Sequence, residues 1–321
     1  MVPELVGVLD VGSFSARLVA VPAGGTPTRP AVRHKTRLRL DRALDGRGRI
    51  DRAGIAAISH AVAAARRAAR DAGVSTLFPL ATSSIRDAAN NSAVVRSVAA
   101  DTGVELRSLS GRREAELAFV AARRWYGAAG GPLVVLDVGG GTVEIAAGAG
   151  EHASMTRSLR LGARELTRTW LGEDLASAER VAHVREHTLE RVRDALAGTE
   201  SMVREGMVVG CSKVLQQLAR LAGARPQRDG LFVERGLHVD DLRRWIPRLA
   251  KMPPSRRAEL PGISRCRSRQ ALAGAIVAEA LLSVVGARLT VCPWSTTEGL
   301  LLGLLDDVAA GQRPAGLYRV A

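Results

Sequence analysis

The stretch Val135-Leu136-Asp137-Val138-Gly139-Gly140-Gly141-Thr142 decides the fold, because an apolar β-type run ends there in an aspartate and a glycine loop. A shorter version, Val8-Leu9-Asp10-Val11-Gly12-Ser13, occurs near the start of the chain. Glycines let backbone N–H groups approach an anion, since no Cβ blocks the way. One such corner is also typical of ordinary strand-to-turn junctions. Two copies, each followed by a β-like run (Arg17–Val21 and Val143–Ala147), predict two related halves that face one ligand.

The composition is that of a globular and strongly basic protein. The chain has 321 residues, of which 46% are hydrophobic and 3% aromatic, and its net charge is +14. This length predicts two domains. The charge favours a polyanionic partner, which is nucleic acid, an acidic membrane surface or a phosphate polymer. A general enrichment in arginine is the alternative explanation. The scarcity of aromatic residues argues against base stacking on single-stranded nucleic acid.

The sequence indicates neither a disulfide framework nor a zinc site, because Cys211, Cys266 and Cys292 are far apart and form no C-x-x-C motif. The longest apolar stretch, Ala271–Ala287, contains Glu279 and is too short to span a bilayer comfortably. No basic region followed by an apolar region begins the chain. We therefore expect a soluble, cytoplasmic protein with no membrane partner.

Strand-like runs alternate with helical patterns along the chain, which predicts an α/β fold. Leu5–Leu9 and Arg17–Val21 are predicted strands around the first loop, and a third strand is predicted around Thr36–Leu40. Gly127–Pro132 breaks the pattern. We therefore expect a first domain of residues 1–127 and a second of residues 128–299, with a C-terminal helix at 300–321 that packs back on the first.

Two further motifs lie between the glycine loops. Ala81-Thr82-Ser83-Ser84-Ile85-Arg86-Asp87-Ala88 combines hydroxyl groups, a guanidinium and a helix start directly after a strand. Helix N-termini and arginine forks both suit phosphate. Ser110-Gly111-Arg112-Arg113-Glu114-Ala115 places a glutamate in the first turn of a helix, which is a candidate general base. The alternatives are an ordinary helix cap and a surface glutamate.

Together these motifs resemble those of the exopolyphosphatase and guanosine pentaphosphate phosphohydrolase (Ppx/GppA) family of the actin/Hsp70/sugar kinase superfamily. The family pattern runs D-x-G-S-N-S-x-R-L, A-T-S-A-x-R-D-A-x-N, S-G-x-x-E-A and D-I-G-G-G-S-x-E. The matching stretches here are, in the same order, Asp10–Leu18, Ala81–Asn90, Ser110–Ala115 and Asp137–Glu144. The later stretches Gly210–Lys213 and Cys292–Gly299 are similar to those of short actinobacterial members.

The resemblance implies an α/β protein of two ribonuclease-H-like domains with an active site in the interdomain cleft. It implies that Glu114 and Glu144 are catalytic, with Glu114 as the base that deprotonates water, and that Asp137, Glu144 and Asp10 hold the metal. The phosphate-binding residues that it implies are Gly12, Ser13, Ser15, Arg86, Gly139, Gly140, Gly141 and Thr142.

The activity that the resemblance implies is release of the terminal phosphate of inorganic polyphosphate, with Mg²⁺ and often K⁺. Alternatives are removal of the 5′-phosphate of guanosine pentaphosphate and a weakly active regulator that binds polyphosphate or alarmone. By analogy, a homodimer is one expected assembly, whereas no specific nucleic acid is expected. The basic charge predicts a polyanion channel, whose candidate residues are Arg37, Arg39, Lys213 and Arg267.

The chain also departs from the family pattern. Phe14 stands where the family has asparagine, and Arg112 and Arg113 replace residues that are often acidic. Thr142 replaces serine but keeps the hydroxyl, and Cys211-Ser212-Lys213 replaces a loop rich in glycine and threonine. These departures predict an altered substrate preference or a weaker enzyme.

Overall fold

The computed structural model describes residues 4–172, 175–312 and 316–320. Its strands are β1 (Leu5–Val11), β2 (Ser15–Pro22), β3 (Val32–Arg37), β4 (Val74–Ala81), β5 (Arg107–Ser108), β6 (Leu133–Val138), β7 (Val143–Gly148), β8 (Met155–Leu159), β9 (Met207–Gly210), β10 (Gly236–His238), β11 (Arg288–Val291) and β12 (Tyr318–Arg319). Its helices are α1 (Leu40–Ala43), α2 (Arg52–Asp71), α3 (Ser83–Arg86), α4 (Asn91–Thr102), α5 (Gly111–Tyr126), α6 (Ala163–Leu166), α7 (Ala178–Leu196), α8 (Glu200–Glu205), α9 (Lys213–Leu221), α10 (Val239–Ala250), α11 (Pro254–Arg257), α12 (Ala271–Val285) and α13 (Thr296–Ala309).

The chain divides into two compact units. The first consists of Met1–Ser110 and Thr297–Ala321, and the second of Gly111–Thr296. This division differs from the predicted boundary at residue 127, because helix α5 packs on β6, β7 and β8 and so belongs to the second unit. The predicted C-terminal segment, 300–321, belongs to the first unit, although residues 313–315 and 321 lie outside the described part of the chain.

A mixed sheet forms the centre of the first unit, with the strand order β12-β4-β1-β2-β3 and with β5 also paired to β4. Strands β1, β2 and β3 are antiparallel neighbours, and β4 runs parallel to β1. Helix α2 begins at Asp51, whose carboxylate accepts a hydrogen bond of 2.7 Å from the Gly54 N–H. The buried face of this helix includes Ile58, Val62 and Ala65, which recur at helical spacing against the sheet.

The predicted third strand, Thr36–Leu40, is wrong in its bounds, because β3 spans Val32–Arg37. Exposed and half-buried residues alternate along β3, which is typical of a strand with one face towards solvent. Its outward residues are charged, so apolar character alone does not reveal it. Leu38 and Leu40, which suggested the later strand, are buried beyond its end.

The sheet of the second unit has the order β10-β11-β9-β6-β7-β8. Strands β6, β7 and β8 form an antiparallel meander, and β9 and β11 continue the sheet in parallel with β6. The first unit has the same plan, namely a three-stranded meander followed by parallel strands that helices connect. The structure therefore confirms the predicted fold class, in which two ribonuclease-H-like halves repeat one topology.

Helix α12 forms the centre of the second core, and nearly all of its residues are buried. The segment Ser268–Val285 is long and apolar enough to cross a membrane by length and composition, but 83% of it is buried inside the protein. Such burial is typical of a core helix. Glu279 within it pairs with Arg185 of α7, which offsets the cost of burying a carboxylate.

Candidate active site

The loop between β6 and β7 is a closed turn with available main-chain donors. The Gly139 N–H donates a 2.9 Å hydrogen bond to the Thr142 carbonyl and so closes the turn. Among the described residues, no group accepts a hydrogen bond from the N–H of Gly140 or Gly141. Two adjacent main-chain donors of this kind are suited to bind a phosphate oxygen.

The start of helix α6 holds this loop in place. The N–H groups of Ala163 and Arg164 donate to the carbonyls of Gly139 and Gly140 at 3.0 and 2.9 Å. Gly162, just before the helix, allows this approach, because a Cβ there would lie 2.3 Å from the Gly141 carbonyl carbon and 2.4 Å from the Gly140 oxygen. Any side chain at position 162 would therefore displace the loop.

Two carboxylates stand at the base of the loop. Asp137 on β6 lies directly opposite Glu144 on β7 in the strand register. Glu144 is only 5% exposed. Its carboxylate accepts a 3.0 Å hydrogen bond from the Ser158 hydroxyl of β8 and another from the Thr142 hydroxyl. Ser158 of β8 and Thr142 of the glycine loop thus fix the position of the Glu144 side chain on β7.

Glu114 joins this pair from the first turn of α5, and it too is buried. The helix start packs closely against the meander, because a Cβ on Gly111 would lie 2.1 Å from the Ser158 hydroxyl and 3.5 Å from a Glu144 oxygen. Glycine at position 111 therefore permits the approach of α5. The Thr296 hydroxyl also donates to the Glu114 carbonyl at 3.4 Å. The spacing of Gly111 and Glu114 in the Ser-Gly-x-x-Glu-Ala motif thereby has a physical reason.

The three carboxylates interact electrostatically. Burial raises the pKa of Glu144 well above its ordinary value, and the charges of Asp137 and Glu114 raise it further. The hydrogen bonds from Thr142 and Ser158 oppose this effect without cancelling it. A bound cation would remove the repulsion and keep Glu144 ionised.

The donor set fits magnesium better than it fits zinc. Within the described ranges, no group of three or more His, Cys, Asp or Glu side chains is arranged to hold a metal ion. Magnesium usually takes one or two protein carboxylates and completes its shell with water and substrate phosphates. Asp137 and Glu144 could supply these carboxylates, and their mutual repulsion is what a divalent cation would offset.

The first unit contains a hairpin of the same form. The Gly12 N–H donates a 3.0 Å hydrogen bond to the Ser15 carbonyl, as Gly139 does to Thr142. Asp10 lies opposite Arg17 in the register of β1 and β2, so Arg17 takes the position that Glu144 has in the second unit. The two loops are alike in backbone geometry, but the residue pairs at their bases differ in charge.

Asp10 has partners that favour a neutralised site. It accepts a 2.9 Å hydrogen bond from the Thr297 hydroxyl. Desolvation raises the pKa of Asp10 above its ordinary value. Arg17 and the Thr297 hydrogen bond lower the pKa but do not cancel this rise. Desolvation lowers the pKa of Arg17, but Glu298, at 2.9 Å, and Asp10 outweigh it and raise the net value. The charge of Arg17 would oppose a metal ion at Asp10.

Ser13, a predicted phosphate-binding residue, contacts helix α3, which carries Arg86. The hydroxyls of Ser13 and Ser84 form a hydrogen bond. The Arg86 guanidinium binds both oxygens of Asp87, at 2.9 and 3.3 Å, and donates to the Leu109 carbonyl at 2.9 Å. These bonds hold Arg86 beside the end of the chain segment that leads to Ser110.

The asparagine of the second motif has a structural role. The Asn90 amide accepts a hydrogen bond from the Ile50 N–H and donates one to the Ile50 carbonyl, both at 2.9 Å. This pair of hydrogen bonds ties the start of α4 to the segment before α2.

The residues that depart from the family pattern lie in different surroundings. Arg112 and Arg113 are exposed, although Glu114 next to them is buried. The Phe14 carbonyl accepts a main-chain hydrogen bond from the Leu38 N–H.

The four candidates for a polyanion channel have different surroundings. Arg37 ends β3 and is exposed. Arg39 forms a two-pronged ion pair with Asp41, with both distances 3.1 Å. Lys213 donates to the Gln216 side chain at 3.2 Å, and Arg267 is half-buried. Arg37 and Arg39 belong to the first unit, and Lys213 and Arg267 to the second.

Three residues that position the site were not predicted from the sequence. They are Ser158, which binds Glu144, Gly162, which admits α6 to the glycine loop, and Thr297, which binds Asp10. A lone serine, glycine or threonine gives no signal of its own.

The repeated hairpins, the open glycine N–H groups and the clustered carboxylates define a phosphate-handling protein of the two-unit, ribonuclease-H-like class. The model of the Ppx/GppA phosphatase family matches residues 19–308. The chain therefore belongs to the Ppx/GppA phosphatase family, as its motifs predicted.

Individual relatives agree with this assignment. Exopolyphosphatase 1 of Mycobacterium tuberculosis is 39% identical over 308 residues, which cover 95% of this chain and 89% of that protein. The crystal structure of an exopolyphosphatase from Cytophaga hutchinsonii has a TM-score of 0.81 at 19% identity and covers 97% of this chain and 99% of that one. The Aquifex aeolicus Ppx/GppA family member has a TM-score of 0.75 at 21% identity, with the same coverage. At such identities the structural likeness supports the fold.

Proposed function

We propose that this protein is an exopolyphosphatase, which hydrolyses the terminal phosphate of inorganic polyphosphate. The observation that carries the proposal is the group of Glu114, Asp137 and Glu144 in the same unit as the glycine loop with two available N–H groups. This chemistry suits phosphoryl transfer to water, which needs charge neutralisation and a positioned nucleophile. The named exopolyphosphatases among the relatives support polyphosphate as the substrate.

In the proposed reaction, Glu114 accepts a proton from the attacking water. The water oxygen forms a bond to the terminal phosphorus, and the anhydride bond to the next phosphate breaks. The shortened chain leaves with the electron pair of that bond. The N–H groups of Gly140 and Gly141 stabilise the oxygens that gain charge, as preorganised donors do in other enzymes. The hydrogen bond from Ser158 keeps Glu144 in its place beside them.

Asp137 and Glu144 would hold Mg²⁺, which supplies neutralisation of the phosphate charge when bound. We propose that Gly12, Ser13, Ser15 and Arg86 of the first unit bind phosphate groups of the substrate. Asp10 faces Arg17 and Thr297, so we assign it to positioning of the first loop. A cytoplasmic location is in keeping with Cys211, Cys266 and Cys292, which form no disulfide within the described part of the chain.

Phosphate release from polyphosphate, in parallel with release from guanosine pentaphosphate, tests this function. We expect release from polyphosphate with Mg²⁺ and none with EDTA. The Asp137→Asn variant should lose most of the activity, whereas Glu179→Gln, an exposed control in the same unit, should keep it. Release from guanosine pentaphosphate alone would assign the alternative substrate. Release from neither substrate would contradict an enzyme and favour the regulatory alternative.

A further inference from the structure

The edge strand β3 carries a row of positive side chains on one face. Arg33, Lys35 and Arg37 are exposed and alternate with half-buried residues, so they point to the same side of the strand. Successive members are about 7 Å apart along the strand, because each residue advances the chain by about 3.3 Å. We call these three residues the β3 cation row.

No residue of the described part of the chain forms an ion pair with any member of this row. Two neighbouring cations are compensated: Arg17, opposite Lys35, pairs with Glu298, and Arg39, just beyond the end of β3, pairs with Asp41. Like charges on one face of a sheet repel each other. A row of uncompensated cations therefore gains from a partner that carries regularly spaced negative charge.

The row leads directly to the first phosphate loop. In the register of β2 and β3, Arg37 lies opposite Ser15, which ends that loop. Beyond β3, the N–H groups of Leu38 and Leu40 donate to the carbonyls of Phe14 and Ser13 at 2.8 and 2.9 Å. Hydrogen bonds thus join the segment after β3 to the loop at Gly12–Ser15, and they fix the position of the β3 cation row relative to that loop.

We propose that the β3 cation row binds the body of a linear polyphosphate chain whose phosphates continue from the loop at Gly12–Ser15. This inference rests on the proposed function and deepens it, because it assigns a track for long substrates. A polyphosphate suits the row because each internal phosphate carries a negative charge along an unbranched chain. The row discriminates by length, since a short substrate bound at the loop does not reach Lys35 and Arg33.

The test compares a triple variant, Arg33→Gln, Lys35→Gln and Arg37→Gln, with a control that removes three exposed arginines elsewhere in the first unit. The control is Arg67→Gln, Arg70→Gln and Arg96→Gln on helices α2 and α4, and it changes the net charge equally. Affinity is measured for long-chain polyphosphate and for tripolyphosphate by competition titration at several salt concentrations. The single variant Lys35→Gln serves if the triple variant does not fold.

We expect the triple variant to lose about 10-fold or more in affinity for long-chain polyphosphate, because three exposed charge contacts disappear. The slope of log affinity against log salt should become shallower by about 2. Affinity for tripolyphosphate should stay within about 2-fold, and the control should resemble the wild type for both ligands.

Equal losses for long and short ligands, or equal losses in the control, would overturn the proposal. The same row-dependent affinity for single-stranded DNA would also overturn it and assign the surface to nucleic acid. Phosphate release from wild-type protein is measured separately. A protein that binds polyphosphate along the β3 cation row but releases no phosphate would contradict the proposed enzyme and support the binding role of the row. Phosphate release by the wild type, with an affinity for long-chain polyphosphate that does not depend on the row, would support the enzyme and contradict the binding role of the row.

Discussion

Asp137 lies directly opposite Glu144 across the β6–β7 pair, and Arg17 takes the corresponding place opposite Asp10 in the first hairpin. The two hairpins therefore share a backbone and differ in charge. The acidic pair of the second hairpin can attract a cation, whereas the first pair neutralises itself with the help of Glu298. This difference is why we place the hydrolytic chemistry in the second unit.

Glu144→Gln should raise stability at neutral pH in the presence of EDTA. The folded protein raises the pKa of Glu144 above its ordinary value of 4.5, so the folded state favours the protonated form. The contribution of Glu144 to the free energy of unfolding is fully present below pH 4.5. It is lost as the pH rises through the raised pKa. The free energy of unfolding of the Glu144→Gln variant should therefore exceed that of the wild type at neutral pH.

Melting temperatures of wild type and Glu144→Gln at pH 4.5 and pH 8 measure this difference. The gain should be present at the higher pH and vanish at the lower, and Mg²⁺ should reduce it by offsetting the repulsion. An equal difference at both pH values would show that titration of Glu144 is not its cause.

Gly162→Ala should disable the glycine loop. The new Cβ would meet the Gly141 carbonyl carbon at 2.3 Å, and this neighbour is backbone and cannot rotate away. We expect a loss of about 1–3 kcal/mol in stability, as overpacking usually causes, together with a rise in KM for polyphosphate. Gly46→Ala is the matched control, because a Cβ there meets nothing within 4 Å. Normal kinetics in the Gly162→Ala variant would contradict the role of α6 in holding the loop.

Gly111→Ala should move the start of α5 away from the meander, because the new Cβ would lie 2.1 Å from the Ser158 hydroxyl. We expect a clear fall in kcat with only a modest loss in the free energy of unfolding. The reason is that Glu114 is three residues further along the same helix and moves with its start. The double variant Gly111→Ala with Ser158→Gly removes the clash and should recover part of the stability. If the single variant kept full kcat, close packing at Gly111 would not be what positions Glu114.

The strongest sequence signals proved to be the hairpins that contain glycine loops, because backbone conformation and chemistry constrain the same few residues there. Both loops and the strands beside them lie where the sequence predicted. The predicted bounds of the edge strand β3 were shifted towards the C-terminus. The reason is that its outward residues are charged, so the strand shows an alternation of exposed and half-buried residues and no apolar run. The assignment of α5 to the second unit depends on long-range packing, which a local pattern does not contain.

The candidate site residues also differ in how well the sequence predicts them. The residues that act by their own chemistry, such as Glu114 and Asp137, could be selected from motifs, although their roles stay predictions. The residues that act by shape, such as Gly162, needed the structure, because only the structure shows what a Cβ would meet. Asn90, another residue of the second motif, has a structural role that only the structure shows, because its amide binds the backbone of Ile50.

Asn90→Ala should therefore reduce stability without changing the chemistry. The substitution leaves the N–H and carbonyl of Ile50 without their partner, which costs about 1–3 kcal/mol for partly buried groups. Ser92→Ala, an exposed neighbour on α4, is the control. Thermal unfolding should show the loss, and kcat at a temperature where both variants are folded should equal that of the wild type. A selective fall in kcat would instead place Asn90 among the substrate-binding residues.

The proposed mechanism depends most directly on Glu114, the buried glutamate that we propose as the base. The decisive measurement is the rate of phosphate release from polyphosphate by Glu114→Gln at saturating substrate with Mg²⁺, together with substrate affinity. We predict that kcat falls by about 100-fold or more, which is typical for loss of a general base, while affinity changes little. A kcat within a few-fold of the wild type would contradict the central claim that Glu114 activates the water.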